Sequence, residues 1–361
     1  MYKRQEEEWA KRNRADIAWS WDSSRFALVR SDQREVDFLF VIHNTGEDRQ
    51  ELESYKYDMP GEEDVTQQTL QVFDFGTMEM TTIDDEPWQD QSMSLVTRER
   101  FEYPDDTAPE VERWFTEDRD ELWFVRESRD RHRIDLMKAD LTTGQVTAVV
   151  EERLNTYQER RDPEMLSDGT FVWWSERDGW AHLYRYDQDG NLVAPLTRGP
   201  WHVDGVERVD PATDRIFFLG MGREEGLDPY YGQLYRVDPD GSGLSRVSRG
   251  DYDNRVDIPE GAGYVIDAYS RVNTVPTTVV RSPSGEVLME LETADLSALE
   301  AAGWRMPEPF RIEAADGYTD IYGVMYKPFD FDSTKVYPLV QYVYPGPQTE
   351  SVSKFFTTSS Y

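Results

Sequence analysis

The sequence predicts a mainly β chain: a partial β-propeller of four-stranded antiparallel blades, with a second domain beginning near residue 305. Three observations lead there. Apolar and aromatic residues alternate with polar ones over short runs. Asp-Gly, Thr-Gly and Ser-Gly pairs punctuate those runs. A strand–turn–strand signature then resets along the chain, as it does in repeat architectures.

The alternating runs cover residues 25–30, 37–42, 71–75, 121–125, 170–174, 183–186, 215–219 and 277–280. They are short, rich in β-branched and aromatic residues, and read as strands. Between them stand Thr143-Gly144, Asp168-Gly169, Asp189-Gly190, Asp240-Gly241 and Ser284-Gly285, each able to supply the positive φ of a tight hairpin. Residues 17–28, 111–125, 162–174 and 206–219 repeat one design of strand, polar turn and strand. Their spacing of roughly 40–50 residues is the period of a propeller blade, and a sandwich would not reset in this way. About five such units fit between Ile17 and Leu291.

After Glu292 the character changes. Residues 294–302 read as a short helix stopped by Gly303. Residues 310–326 form a hairpin around Asp316-Gly317, and 337–344 is a continuous apolar run of the kind buried in a parallel sheet. The clustered carboxylates of Asp187–Asn191 and Asp238–Ser242 lack the remaining ligands of a calcium loop and read as hairpin turns. Ser175–Trp180 reads as a blade turn with Trp180 packing into the next sheet, and Glu62-Glu63-Asp64 as a solvated loop. Neither terminus closes on a capping element, so both read as cut. The first 14 residues also lack the apolar stretch of a secretory signal.

Composition narrows the function classes. The 361 residues carry 39 Lys+Arg against 72 Asp+Glu, a net charge of −33, which disfavours nucleic acid as a partner. An aromatic content of 13% argues for a folded chain. There is no cysteine, hence no disulfide and no thiolate chemistry, and no apolar run approaches a membrane span. Only 7 of the cations are Lys, leaving 32 Arg; Arg-carboxylate forks on an acid-rich surface suit a salt-loving source.

At the junction of the two domains the residues become familiar. The order Asp316-Gly317, Lys327-Pro328, Phe331-Asp332, Lys335 to Pro338 and Tyr344-Pro345-Gly346-Pro347 resembles the start of the hydrolase domain in the prolyl oligopeptidase family, most closely its dipeptidyl peptidase IV branch. Upstream, Tyr55 to Gly61, Glu151-Glu152, Asn155 to Tyr157, Trp173 to Trp180, His182 to Tyr184 and Leu196 to Trp201 resemble that branch's N-terminal propeller. The resemblance implies a propeller over residues 1–304 and the start of an α/β-hydrolase peptidase domain over 305–361. It implies a serine exopeptidase that releases N-terminal dipeptides, with Pro or Ala second, without a cofactor or metal. Peptide substrates, a homodimer of the full-length enzyme and a periplasmic or secreted bacterial location follow from the same likeness. Other branches (an oligopeptidase or acylaminoacyl peptidase) and a non-catalytic propeller binding module stay open as alternatives.

By the same resemblance, Tyr344 is the hydroxyl donor to the oxyanion of the tetrahedral intermediate, a role whose removal elsewhere costs about 2.7–4 kcal/mol. Glu7 and Glu8 stand near the place of the paired carboxylates that read a substrate's free amino terminus. A Glu run beside Lys and Arg also reads as a solvated helix face. The nucleophile elbow Gly-x-Ser-x-Gly occurs nowhere in the sequence. His43, His132, His182 and His202 all fall in blade sequence and read as strand or loop residues rather than a catalytic base. The chain by itself is therefore expected to be inactive.

Overall fold

The computed structural model of the chain describes residues 15–45, 49–84, 86–100, 111–344 and 351–358. They separate into two compact units, residues 1–158 and 159–361.

The first unit begins with β1 (Ala18–Trp19), β2 (Arg25–Asp32), β3 (Phe38–His43), β4 (Glu51–Lys56), β5 (Gln67–Asp74) and β6 (Glu79–Thr82). It continues with β7 (Ser92–Leu95), β8 (Thr97–Arg100), β9 (Val111–Trp114), β10 (Glu121–Glu127), β11 (Arg133–Asp140) and β12 (Val146–Arg153). One sheet has the order β6-β5-β2-β1-β9-β8, a second β12-β11-β10-β7, and β3-β4 stands apart as a two-stranded hairpin.

The second unit holds three four-stranded meanders. These are β13 (Glu164–Met165), β14 (Phe171–Ser175), β15 (His182–Tyr186) and β16 (Leu192–Pro195); then β17 (His202–Val209), β18 (Ile216–Met221), β19 (Gln233–Val237) and β20 (Ser245–Arg246). The third is β21 (Asp253–Asp257), β22 (Val265–Arg271), β23 (Thr274–Arg281) and β24 (Val287–Thr293). Helix α1 (Ser297–Ala301) and the hairpin β25 (Glu308–Glu313) and β26 (Asp320–Met325) follow.

Five large sheets match the five blade units expected, all eight alternating runs overlap strands, and Gly303 sits at φ 93° behind the short helix. One repeat differs. Residues 111–125 do not form a hairpin: β9 pairs with β8 and, in parallel, with β1, while β10 pairs with β7 and β11. A local pattern fixes which residues are extended but not which strand accepts their ladder.

The blades account for the aromatic load. Inner strands such as Phe171–Ser175 and Glu121–Glu127 are buried along nearly their whole length, and within each unit apolar cores lie between successive sheets. Leu166, Val172, Trp174, Val203, Phe218 and Tyr235 are part of one continuous core between the first two meanders. The Trp174 indole donates to the Val203 carbonyl at 2.7 Å, and in the first unit Trp114 donates to Ala18 at 2.9 Å, so both rings are buried with their N–H satisfied.

A second repeat joins successive meanders. Leu183-Tyr184-Arg185 and Leu234-Tyr235-Arg236 recur on β15 and β19, each ahead of an Asp-x-Asp-Gly turn. Arg185 donates to the Pro239 carbonyl at 3.1 Å and Arg236 to Pro283 at 3.0 Å, each reaching the turn of the following sheet. At Gly285, φ is 93° and a Cβ would stand 2.3 Å from the Val247 carbonyl oxygen, so only glycine fits that turn.

The Asp-led turns also set a pH dependence. The Asp140 carboxylate accepts from the Thr142 hydroxyl at 2.6 Å and from the amides of Thr142 and Thr143 at 2.8 and 3.0 Å. These bonds, the hydroxyl first, hold its pKa down at about 2. A depressed folded-state pKa stabilises above the ordinary aspartate value, and that contribution disappears as pH falls toward 2. An NMR titration of the Asp140 carboxyl carbon should show a midpoint near 2; a midpoint at the ordinary value of about 4 would contradict the turn geometry.

Candidate functional site

The segment that carries Tyr344 departs from its expected form. The apolar run 337–344 is not a strand, and Val340 is 91% and Tyr344 60% exposed. An extended segment becomes a strand only with a neighbour to take its hydrogen bonds, and among the described residues none lies alongside. Tyr337 does find partners: its hydroxyl accepts from the Asp332 amide at 2.8 Å and its ring stacks on Phe331.

What locates Tyr344 is the chain that follows. Its amide donates to the Ser351 hydroxyl at 3.1 Å. Three residues on, Lys354 forms an ion pair with Asp228 at 2.8 Å, both side chains being largely buried, with its ammonium over the rings of Tyr230 and Tyr322. Phe355 is buried with the Arg255 guanidinium 4.1 Å above its ring, and the Phe356 amide donates to Ser270 at 3.3 Å. The edge of Phe356 meets Trp304.

Residues 351–358 thus seat on the β18–β19 loop, the last meander and the β25–β26 hairpin. Burial raises the carboxyl pKa of nearby Asp253, with Arg255 and Lys354 opposing. Burial, then Asp228, lifts the Tyr231 phenol to about 12. A lysine is the charge that such a carboxylate-rich pocket accepts. The Asp228–Lys354 pair spans 126 residues of sequence and left no local signal.

Glu7 and Glu8 lie outside the described residues. The four histidines sit as blade residues. His43 pairs with Glu53 at 2.8 Å, and His132 lies 3.4 Å from Asp130. His182 is buried between the Thr197 hydroxyl and the Gly199 carbonyl. Trp180 is 47% exposed rather than packed into the next sheet, because the Ser175–Trp180 turn turns its ring outward. The two Asp-rich loops are hairpin turns: Asp187 accepts from the amides of Asp189 and Asn191, and Asp240 from Ser242.

One ionisable group escaped the sequence reading. In the second unit Arg161 donates to the Asp204 carbonyl at 2.9 Å, to its carboxylate at 3.3 Å and to Glu159 at 3.1 Å. The Glu159 amide in turn donates to Glu176 at 2.9 Å. Burial raises the Glu176 carboxyl and lowers the imidazole of His202, which meets the Trp174 ring edge-on. Arg161 borders a cavity of about 150 Å³ floored by Trp174 and Leu183. The Glu159-to-Asp162 charge run ahead of β13 was its only trace in the sequence. Among the described residues no group of three or more His, Asp or Glu side chains is placed to hold a metal ion.

Comparison with known proteins now bears on this arrangement. A sequence model of the family described as dipeptidyl peptidase IV (DPP IV) N-terminal region matches residues 5–276. Human dipeptidyl peptidase 8 is 26% identical over 225 residues, 53% of this chain and 25% of the relative. A probable dipeptidyl-aminopeptidase B of Neosartorya fischeri is 30% identical over 189 residues, 50% of this chain and 20% of the relative. The crystal structure of Porphyromonas gingivalis dipeptidyl peptidase 4 superposes with a TM-score of 0.73 at 22% identity, over 94% of this chain and 46% of that one. The chain spans a quarter or less of the length of these two sequence relatives. Its blades have the fold of the Porphyromonas propeller, and the family match covers most of its length: the chain belongs to the dipeptidyl peptidase IV N-terminal region family.

Proposed function

We propose that the chain is the propeller portion of a serine exopeptidase that removes N-terminal dipeptides, favouring Pro or Ala at the second position. The observation that carries this reading is the family match over residues 5–276. In the proposed division, residues 1–304 form the propeller and 305–361 open the α/β-hydrolase domain. A serine hydroxyl, deprotonated by a general base, attacks the scissile carbonyl carbon. The carbonyl π pair moves to oxygen, where Tyr344 donates its hydroxyl hydrogen bond. Collapse expels the peptide amine, which takes a proton from the base, and water then hydrolyses the ester to free the dipeptide. The nucleophile and base are not among the motifs of this sequence, so the chain alone does not hydrolyse peptides.

Glu7 and Glu8 are assigned to the substrate ammonium, where paired carboxylates make charge-assisted hydrogen bonds. In the full-length enzyme, Glu7→Gln with Glu8→Gln should raise KM for a free-amino dipeptide substrate by about tenfold or more, the equivalent of one such bond. An unchanged KM would remove these residues from the site.

The proposed homodimer needs an apolar surface, and the β3–β4 hairpin offers one. It pairs with no other strand among the described residues, and Phe38, Phe40, Ile42 and Leu52 are exposed. Phe40→Asp with Ile42→Asp should convert the full-length dimer to monomer in light scattering. A dimer that persists would place the interface elsewhere.

A further inference from the structure

Among the described residues Tyr344 has one hydrogen bond, from its amide to the Ser351 hydroxyl, and no strand beside it. With no ladder to fix the segment, the contacts of the chain beyond it decide where the phenol stands. Those contacts converge on two successive meanders.

Asp228 lies in the loop between β18 and β19, where the Tyr230 amide donates to its Oδ1 at 3.0 Å. Its Oδ2 accepts from the Lys354 ammonium at 2.8 Å. Tyr230 and Tyr322 meet edge to face, and the ammonium lies 4.9 and 4.6 Å from their ring centroids. The side chains of Lys354 and Asp228 are only 11% and 18% exposed, so removing either leaves a largely buried charge without its partner. Asp253 also attracts Lys354, but it accepts from the Gly232 amide at 2.8 Å and faces Arg255 as well. Arg255 over Phe355 and Ser270 on the Phe356 amide pin the chain farther on, which leaves Lys354 as the anchor nearest Tyr344 in sequence. The path from Asp228 to Tyr344 is thus one buried ion pair, the backbone from Lys354 back to Ser351, and one hydrogen bond.

We propose that Asp228 is a positioning residue for Tyr344, resting on the oxyanion role proposed above. By holding Lys354, a loop of the second meander sets where the phenol hydroxyl stands. An oxyanion donor acts only within hydrogen-bond distance of the developing charge, and a misplacement of about 1 Å can cost on the order of 10²-fold in rate. Asp228→Asn keeps the side chain's shape and an oxygen for the Tyr230 amide but removes the charge that Lys354 needs. Because Asp253 still attracts Lys354, the loss is partial.

The test is steady-state kinetics of the full-length enzyme on an unactivated peptide with a free N-terminus. Asp228→Asn should lower kcat about tenfold and leave KM within about twofold. In a Tyr344→Phe background the same change should lower kcat less than about twofold, since no hydroxyl remains to be misplaced. A substitution acting only through general stability would instead give equal losses in both backgrounds. If Asp228→Asn fails to fold, Ser351→Ala, which removes the acceptor of the Tyr344 amide, should show the same pattern. An undiminished kcat in the folded variant, or equal losses in both backgrounds, would overturn the positioning role and leave that of Tyr344 standing. A Tyr344→Phe enzyme as active as the parent would overturn the role of Tyr344, and the positioning role with it.

Discussion

In the full-length enzyme, Tyr344→Phe is expected to lower kcat by about 10²–10³-fold and to leave KM within about twofold. The substitution removes one hydroxyl and keeps the ring. On the proposed role, that hydroxyl meets full negative charge only after the nucleophile has added to the carbonyl, so ground-state binding barely registers its loss. The ring of Tyr344 is exposed and is kept by the substitution, and its amide bond to Ser351 does not involve the side chain. Steady-state kinetics on an unactivated peptide measure both parameters. A variant as active as the parent removes Tyr344 from the chemistry. A raised KM with unchanged kcat makes it a substrate contact instead.

The second large effect concerns stability. Arg281→Met should cost about 3–5 kcal/mol of unfolding free energy at neutral pH. Asp267 and Arg281 sit opposite one another's strands on β22 and β23, with side chains 0% and 4% exposed, and the Arg281 Nε lies 2.6 Å from Asp267 Oδ2. Among the described residues the other carboxylate oxygen has no hydrogen-bond partner, and Arg281 is the only group there that compensates this buried charge. Burial raises the Asp267 pKa, and Arg281 opposes that rise without cancelling it.

The sign follows from the direction. With a raised folded-state pKa, the folded protein binds this proton more tightly than the unfolded chain. The contribution of Asp267 is then most favourable below the ordinary aspartate pKa and is lost as pH rises through the folded value. Without Arg281 the pKa rises further, so the deficit of Arg281→Met should be largest at neutral pH and shrink toward pH 4. Adding Asp267→Leu should recover much of it. Chemical denaturation at two pH values reads all three. A pH-independent deficit would show that lost packing, not the stranded carboxylate, is responsible.

Much of the fold was legible because blades are built from local signals. Phe171–Ser175 and Ile216–Met221 announce themselves by composition, and the glycines of Asp168-Gly169 and Asp240-Gly241 adopt the positive φ that their turns require. Partner choice was not legible. Nothing near Val111–Trp114 says that β9 pairs with β1, about 90 residues earlier, and a run such as 337–344 reads as a strand whether or not a neighbour exists.

The candidate site divides in the same way. Tyr344 is proposed from the motif around it, through the family resemblance. The clamp that seats the chain after it joins Lys354 to Asp228 and has no sequence signature.

In the proposed function, this propeller serves dipeptide release from free amino termini. The most direct measurement incubates the full-length enzyme with a peptide bearing a free N-terminus and Pro at its second position, and identifies the first product by mass spectrometry. The N-terminal dipeptide is the expected product, released from the free peptide and not from its N-acetylated twin. Single residues, internal fragments, or equal cleavage of the acetylated peptide would contradict it.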